Sequence, residues 1–307
     1  MNRRDFIKQG IKTLAAAALF GSVPSLSAQT SGGIPVRALG QTGASVTLFG
    51  LGGEGVLRTH GRKKEAVKVI SRALELGVTY CDTAPAYDES QDYYGEVLPA
   101  WRDKIFLASK THQYKKEAAL KLLKDSLRRL NTDHLDLWQI HDLRTASDLN
   151  DVFSKGGVIE AVEQAKKDGL IRFAGITGHH DPDVLLKAAN EYPFDTALIS
   201  LNAADRHYLP FMDKLLPALV QKKMGIIGMK VYARGRFFET GLLTPKSAMS
   251  YVLSLPVSNV IIGCSSPAEV EENVKIAQGF APLSADAMKQ LEERVRISAG
   301  EFLFYKR

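Results

Sequence analysis

Val78-Thr-Tyr-Cys-Asp-Thr-Ala-Pro-Ala-Tyr87 opens as a short apolar and β-branched run and closes on polar groups. The run is the signature of a strand buried in a sheet. A carboxylate, Asp82, ends it, and a phenol, Tyr87, lies in the loop that follows. Packing alone requires neither. The plain alternative is an Asp capping the next turn and an ordinary loop Tyr.

Upstream, Lys64–Leu76 sets Ala66, Val67, Ile70, Ala73 and Leu74 at the spacing of a helix with one buried face, and Gly77 stands where a C-terminal cap is expected. Before it, Val46-Thr-Leu-Phe-Gly-Leu-Gly52 reads as a buried strand. Val36–Val46, with short apolar flanks around Gly40 and Gly43, reads as a hairpin. Downstream the strand-then-helix unit recurs. Strands are expected at Thr79–Thr83, Ile105–Lys110, Leu135–His141, Ile171–Thr177, Ala197–Asn202, Ile226–Val231 and Val260–Cys264. Helices are expected at Lys115–Leu130, Val158–Lys167, Asp183–Asn190, Met212–Lys222, Ser247–Leu253 and Pro267–Gln278. The strands are nearly continuous apolar runs, so both faces are covered, and strict alternation with helices implies a parallel sheet. Eight such units fit an α/β fold of the (β/α)8 TIM-barrel type, with an N-terminal β-hairpin. Ser284–Ile297 reads as an extra C-terminal helix packing across the barrel.

The composition, 45% hydrophobic and 24% charged over 307 residues, is that of an ordinary globular chain. Half of the net charge of +6 comes from the first 28 residues, where Arg3, Arg4, Lys8 and Lys12 outweigh Asp5; the remainder is too weakly basic for a nucleic-acid surface. Two cysteines, Cys81 and Cys264, exclude a disulfide scaffold or a cysteine-ligated cluster.

Arg3-Arg4-Asp5-Phe6-Ile7-Lys8 resembles the twin-arginine export motif. The apolar run Leu14–Phe20 behind it is too short to span a bilayer, and small residues around Ser25, Ser27 and Ala28 follow. Residues 1–28 are therefore expected to be a signal peptide read by the twin-arginine export machinery, and 34–307 a barrel domain delivered to the periplasm, or tethered at the membrane if the signal stays on. An amphipathic cytoplasmic helix is the alternative.

In a (β/α)8 barrel, chemistry gathers at the carboxyl ends of the strands. Asp82 ends the second barrel strand, Lys110 the third and His141 the fourth. The order Asp82…Tyr87…Lys110…His141 resembles the catalytic tetrad of the aldo-keto reductase superfamily. The phrases Asp82-Thr-Ala-Pro-Ala-Tyr87, Leu107-Ala-Ser-Lys110, Asp136-Leu-Trp-Gln-Ile-His141 and Asp168-Gly-Leu-Ile-Arg-Phe-Ala-Gly175 carry the same resemblance, as does Glu271-Glu-Asn273. It implies a nicotinamide-dependent oxidoreductase that reduces a small-molecule aldehyde or ketone. Tyr87 is then the proton donor, with an ordinary pKa near ~10 that an adjacent ammonium lowers. Asp82 holds Lys110 charged and aimed, and His141 places a hydrogen bond at the substrate oxygen.

The resemblance also implies a cofactor held by loops after the later strands rather than by a Rossmann glycine motif. Its candidates here are Thr177, Asn202, Met229, Lys230, Arg234, Gly235, Gly263, Ser265, Glu272 and Asn273. The pattern is thinned. The positions of the usual carboxamide clamp read Thr177-Gly178 and Leu198, the stacking position is Met229, and the positions that grip a 2′-phosphate read Ser265 and Glu269. NADP(H) is the expected cofactor, with NAD(H) admitted by those replacements. A cofactor-binding or regulatory barrel with little turnover is the alternative function. Arg58, His60, Trp101, Tyr232 and Phe237 are candidates to border a substrate pocket, or to serve packing and solvation. No metal is expected: His179-His180-Asp181 reads as a solvated loop rather than a ligand set.

Overall fold

The computed structural model describes residues 30–306. The expected signal peptide, 1–28, lies outside them. Three strands form a small antiparallel sheet in the order β1-β2-β3: β1 (Thr30–Ser31), β2 (Ile34–Ala38) and β3 (Ser45–Thr47). Eight parallel strands then close a barrel: β4 (Phe49–Gly55), β5 (Tyr80–Asp82), β6 (Phe106–Thr111), β7 (Leu135–Ile140), β8 (Ile171–Gly178), β9 (Thr196–Ser200), β10 (Gly225–Met229) and β11 (Asn259–Cys264). Neighbours follow chain order, and β11 pairs β4 in the register Val260↔Phe49, which shuts the ring.

The strand expected at Val46–Gly52 is two strands. The chain bends at Leu48, whose amide donates to Pro35 O (2.9 Å) while its carbonyl accepts from the Val260 amide (2.9 Å). One residue thus hands the backbone from the antiparallel hairpin to the parallel barrel.

The hairpin plugs the barrel floor. Leu39 and Val46 are fully buried and pack with Tyr80, Phe106, Leu137, Leu198 and Ile227 inside the ring. Tyr80 stacks on Phe106 (5.7 Å) and Phe106 on Phe173 (6.1 Å), filling the interior with side chains rather than leaving a pore. Gly40 sits in the hairpin turn at φ +56, and a Cβ there would lie 2.2 Å from the Gly225 amide nitrogen. Only glycine lets this turn touch the start of β10.

Helices cover the outside. Lys63–Glu75 buries Ala66, Val69, Ile70, Ala73 and Leu74; Val69 rather than the expected Val67 faces the core. Lys116–Leu130, Val158–Lys167, Pro182–Glu191, Leu215–Gln221, Pro245–Leu253 and Pro267–Gln278 occupy the expected intervals. The short helices Ser90–Val97, Ala146–Val152, Arg236–Glu239 and Ala299–Phe302 were not anticipated. All four lie within loops or at the chain's end, where no long apolar stripe marks them.

The extra helix, Ala285–Val295, does not cross the barrel. It lies along Pro245–Leu253, where Tyr251 OH donates to Glu292 Oε1 (2.7 Å) and Leu283 N donates to Ser254 Oγ (2.9 Å). The crossing is made by the residues after it. Phe302 packs on Phe237 (4.5 Å), Tyr305 reaches Asn202, and the buried Lys306 pairs with Asp205 and donates to Tyr208 O and Leu209 O (both 2.8 Å). This segment spans loops after β8, β9 and β10 at the carboxyl-terminal rim of the barrel.

Candidate active site

Asp82 is the last residue of β5, and its carboxylate is fully buried. An isolated charge there would be costly. Lys110, near the end of β6, is 1% exposed and pairs with Asp82 Oδ1, and its ammonium also donates to Thr83 O (2.9 Å). Gln139, one strand further, donates from Nε2 to Asp82 Oδ2 (3.0 Å). Three adjacent strands therefore fix the ammonium in one place.

Tyr87 stands above that ammonium, which is 4.8 Å from its ring centre. The Tyr87 amide donates to Ala84 O (3.0 Å) and its carbonyl accepts from the Ser90 amide (2.9 Å), so the ring is presented by a tight turn. Gly53 makes room for it: a Cβ at that position would lie 2.8 Å from Tyr87 Cδ2. His141 follows β7 and meets Tyr87 edge to face, with ring centres 5.8 Å apart. The four polar residues expected at the rim do converge there.

Their ionisation is set by burial and by one another. Burial opposes the charge on Lys110, but Asp82 and Tyr87 outweigh it and hold the ammonium above its ordinary pKa. Burial pushes the Asp82 carboxyl up, against the pull of Lys110 and Gln139. The phenol of Tyr87 is also raised, by burial first and by Asp82 and Glu54; Lys110 draws it down without prevailing. The expected net lowering of Tyr87 is thus corrected, because loss of solvation exceeds the ammonium's effect. Burial and then Lys110 lower His141 to about 3, which leaves a neutral imidazole that hydrogen-bonds without carrying charge.

From Asp82 and Tyr87 a cleft of roughly 560 Å³ runs across the ends of β4, β10 and β11. Eight of the expected cofactor residues line it: Met229, Lys230, Arg234, Gly235, Gly263, Ser265, Glu272 and Asn273. Thr177 and Asn202 do not. Thr177 Oγ1 accepts from the Asp142 amide (2.8 Å), and Asn202 bonds Lys230 O (3.1 Å), Tyr305 OH (2.7 Å) and the amides of Ala204 and Asp205. Both are spent on holding loops.

The loop after β10 makes a tight turn beside the cleft. Arg234 (φ 57, ψ 36) and Gly235 (φ 87, ψ −12) are consecutive left-handed residues, and the amides of Ala233, Gly235 and Arg236 donate to Lys230 O, Tyr232 O and Ala233 O inside the turn, so the Arg234 side chain rather than the backbone supplies positive charge to the cleft. At the far end, Ser266 caps the helix Pro267–Gln278, accepting from the Glu269 amide (3.3 Å). Glu269 Oε2 accepts from the Ser265 amide (2.8 Å), so an anionic group already stands at this helix N-terminus.

Glu54 went unread in the sequence. It is the next-to-last residue of β4 and pairs with Lys230 (3.4 Å) and Arg234 (3.3 Å) across the cleft and with Arg58 (3.3 Å) in its own loop. Burial opposes its charge, and Lys230, Arg234 and Arg58 overcome it, bringing the carboxyl down to about 2. The pattern that singles out Asp82, a polar residue at the end of a buried strand, applies to Glu54 as well, although the glycines around it resemble a loop.

Of the pocket candidates, Tyr232 lines the cleft and donates to Asn273 Oδ1 (2.7 Å), and Arg58 lies 5.3 Å from the Tyr87 ring centre. His60 is an exposed surface residue beside Glu89 (3.5 Å). Phe237 is wholly buried, and Trp101 precedes β6 at the opposite end of the barrel. Those two serve packing.

Residues 48–247 match the model of the Aldo/keto reductase family. L-galactose dehydrogenase of Arabidopsis thaliana is 29% identical over 297 residues, covering 82% of this chain and 91% of its own. A Bacillus halodurans aldo-keto reductase in its holo form superposes with a TM-score of 0.72 at 24% identity, covering 85% of this chain and 96% of that one. One from Klebsiella pneumoniae, in complex with NADP and acetate, gives 0.69 at 22% identity over 85% and 95%.

Proposed function

Because the chain belongs to the aldo/keto reductase family and is an NAD(P)-dependent oxidoreductase, we propose that it reduces a small aldehyde or ketone, with Tyr87 as the proton donor. The observation that carries this is the buried Asp82–Lys110 pair beneath Tyr87, with neutral His141 at its edge.

A bound reduced nicotinamide dinucleotide supplies the hydride. The residues present fit such a group: the cleft is large enough, it starts at Tyr87, and it passes the cationic side chains of Lys230 and Arg234. Met229 offers an apolar wall near the reacting end, and Lys230 and Arg234 offer positive charge along the path.

As negative charge develops on the carbonyl oxygen, Tyr87 gives up its proton and Lys110 stabilises the phenolate left behind. Asp82 keeps Lys110 charged and immobile. His141, held neutral, donates a hydrogen bond to the same oxygen and orients it. Tyr87→Phe is expected to lower kcat for carbonyl reduction by about 10²–10⁴-fold while nucleotide affinity stays within about twofold. The measurement is steady-state turnover on an aldehyde panel beside a nucleotide titration; unchanged turnover would remove Tyr87 from this role.

The cofactor is proposed to be NADP(H) held with little selectivity over NAD(H), since Ser265 and Glu269, which line the cleft at the positions where the family resemblance implies a grip on the 2′-phosphate, supply no cation. A barrel that holds nucleotide with little turnover is the second reading. It is favoured by Thr177 and Asn202, whose polar atoms are already bonded within the protein. Nucleotide binding without turnover across the panel would decide for it.

On the strength of Arg3-Arg4-Asp5-Phe6-Ile7-Lys8, the protein is proposed to be exported folded to the periplasm. Cell fractionation of an Arg3→Lys, Arg4→Lys variant is expected to find it retained in the cytoplasm; unchanged export would refute the assignment.

A further inference from the structure

We propose that Asp142, His179 and His180 form a binding site for one divalent transition-metal ion of the zinc class. Asp142 follows His141 in the loop after β7, and His179-His180 follow β8, so adjacent strands bring the three together. One ligand atom from each lies within 4.8 Å of the other two. The solvated loop expected for the two histidines is corrected: both are half-buried, with their rings 4.8 Å apart.

The sharpest feature is a contact without a hydrogen bond. Asp142 Oδ1 is buried and bonded to no donor among the described residues, yet His179 Nε2 stands 3.3 Å away. On the other side of that ring, Nδ1 lies 2.9 Å from the carbonyl oxygen of Tyr305. A carbonyl only accepts, so Nδ1 carries a proton and Nε2 is the nitrogen free to bind a metal. For a tetrahedral zinc ion with ligand bonds of about 2.0–2.1 Å, two ligand atoms are separated by about 3.3–3.4 Å. The Asp142–His179 separation already has that length. His180 completes the triangle with a modest ring movement.

The surroundings match those of metal ligands. His179 is oriented by the Tyr305 carbonyl, and the second oxygen of Asp142, Oδ2, accepts from Arg144 Nε (2.7 Å), leaving Oδ1 as the available donor. Asp142 holds this position at φ 58, a conformation non-glycine residues avoid, with its amide on Thr177 Oγ1. Two imidazoles and one carboxylate suit zinc, and beyond it ferrous iron or nickel, better than magnesium or calcium. Three protein donors leave a fourth position for water. Such an ion would tie the loops after β7 and β8 together and, through Tyr305, to the segment crossing the rim.

The test is independent of turnover. The full chain, stripped with chelator, is equilibrated with a slight excess of ZnCl2 and desalted, and zinc per chain is measured by mass spectrometry. The expected result is about one zinc per chain with a raised Tm, and a tetrahedral d–d absorption when Co²⁺ replaces it. His180→Gln and Asp142→Asn are each expected to weaken binding at least about tenfold. His134→Ala, at an exposed His–Asp contact elsewhere, is expected to change nothing. If Asp142→Asn does not fold, His180→Gln decides. Absence of retained zinc in the unaltered chain, or unchanged retention in the folded His180→Gln variant, overturns the proposal.

Discussion

Glu54 illustrates how one side chain couples stability to acidity. Its carboxyl is held near 2, against an ordinary 4.5, by three cations from two loops. The folded state therefore binds fewer protons than the unfolded one between those values. The stability it contributes is present above pH ~4.5 and drains away as pH falls toward 2. The unscreened contribution is about 3 kcal/mol, but Glu54 is 28% exposed and its partners Arg58 and Arg234 more so, which reduces it to about 1–2 kcal/mol. Glu54→Gln is expected to lose that amount at pH 7, with the gap to the unaltered protein narrowing between pH 5 and pH 3. Urea unfolding across that range measures it, and a gap independent of pH contradicts the assignment. Tyr87 obeys the opposite sign. Burial raises its pKa above the ordinary phenol value and Lys110 only partly opposes this, so the phenol stays protonated through the neutral range, as the proposed donor role requires.

At the level of elements, the helix Pro267–Gln278 presents its N-terminus to the cleft, and helix N-termini favour anions. Glu269 already places a carboxylate there, on the Ser265 amide. A nucleotide's 2′-phosphate would meet that charge, whereas a bare ribose would not. Glu269→Lys is expected to raise the NADPH:NADH affinity ratio by about tenfold, through one unfavourable contact removed and one favourable contact made. Parallel fluorescence titrations with both nucleotides check it, and equal shifts for the two would show that Glu269 lies away from the phosphate. The same scale explains what was legible in residue order. Buried parallel strands are continuous apolar runs, and Asp82, Lys110 and His141 interrupt them at matching ends, so the rim is legible in the residue order alone. Thr177 and Asn202 also stand at strand ends. Whether such a group faces a ligand or ties down a loop depends on partners distant in the chain, here Asp142 and Tyr305. The meeting of Asp142 with His179 is of the same kind: each looks solvated until β7 and β8 are paired.

The whole molecule separates its tasks along the barrel axis. The floor is apolar and closed, with Leu39 and Val46 packed among Tyr80, Phe106 and Leu137, while the rim carries every polar group of the site. Changes at the floor act on stability, and changes at the rim act on binding and chemistry. The seam of the barrel lies on neither side of this division. Phe49 pairs with Val260 across nearly the whole domain, and the cleft straddles that seam, with Gly52–Gly55 on one lip and Gly263 on the other. Joining partners so far apart in sequence carries a large loop-closure cost, which places it late in the order of folding events. A chain whose other strands have already paired still lacks the cleft in which the nucleotide is proposed to bind. In refolding, the signal of nucleotide capture is therefore expected to rise with the slowest phase, after helical circular dichroism has recovered, and capture during the early phase would show that the seam closes first. The ligand thereby acts as a clock for the final stitch of the barrel.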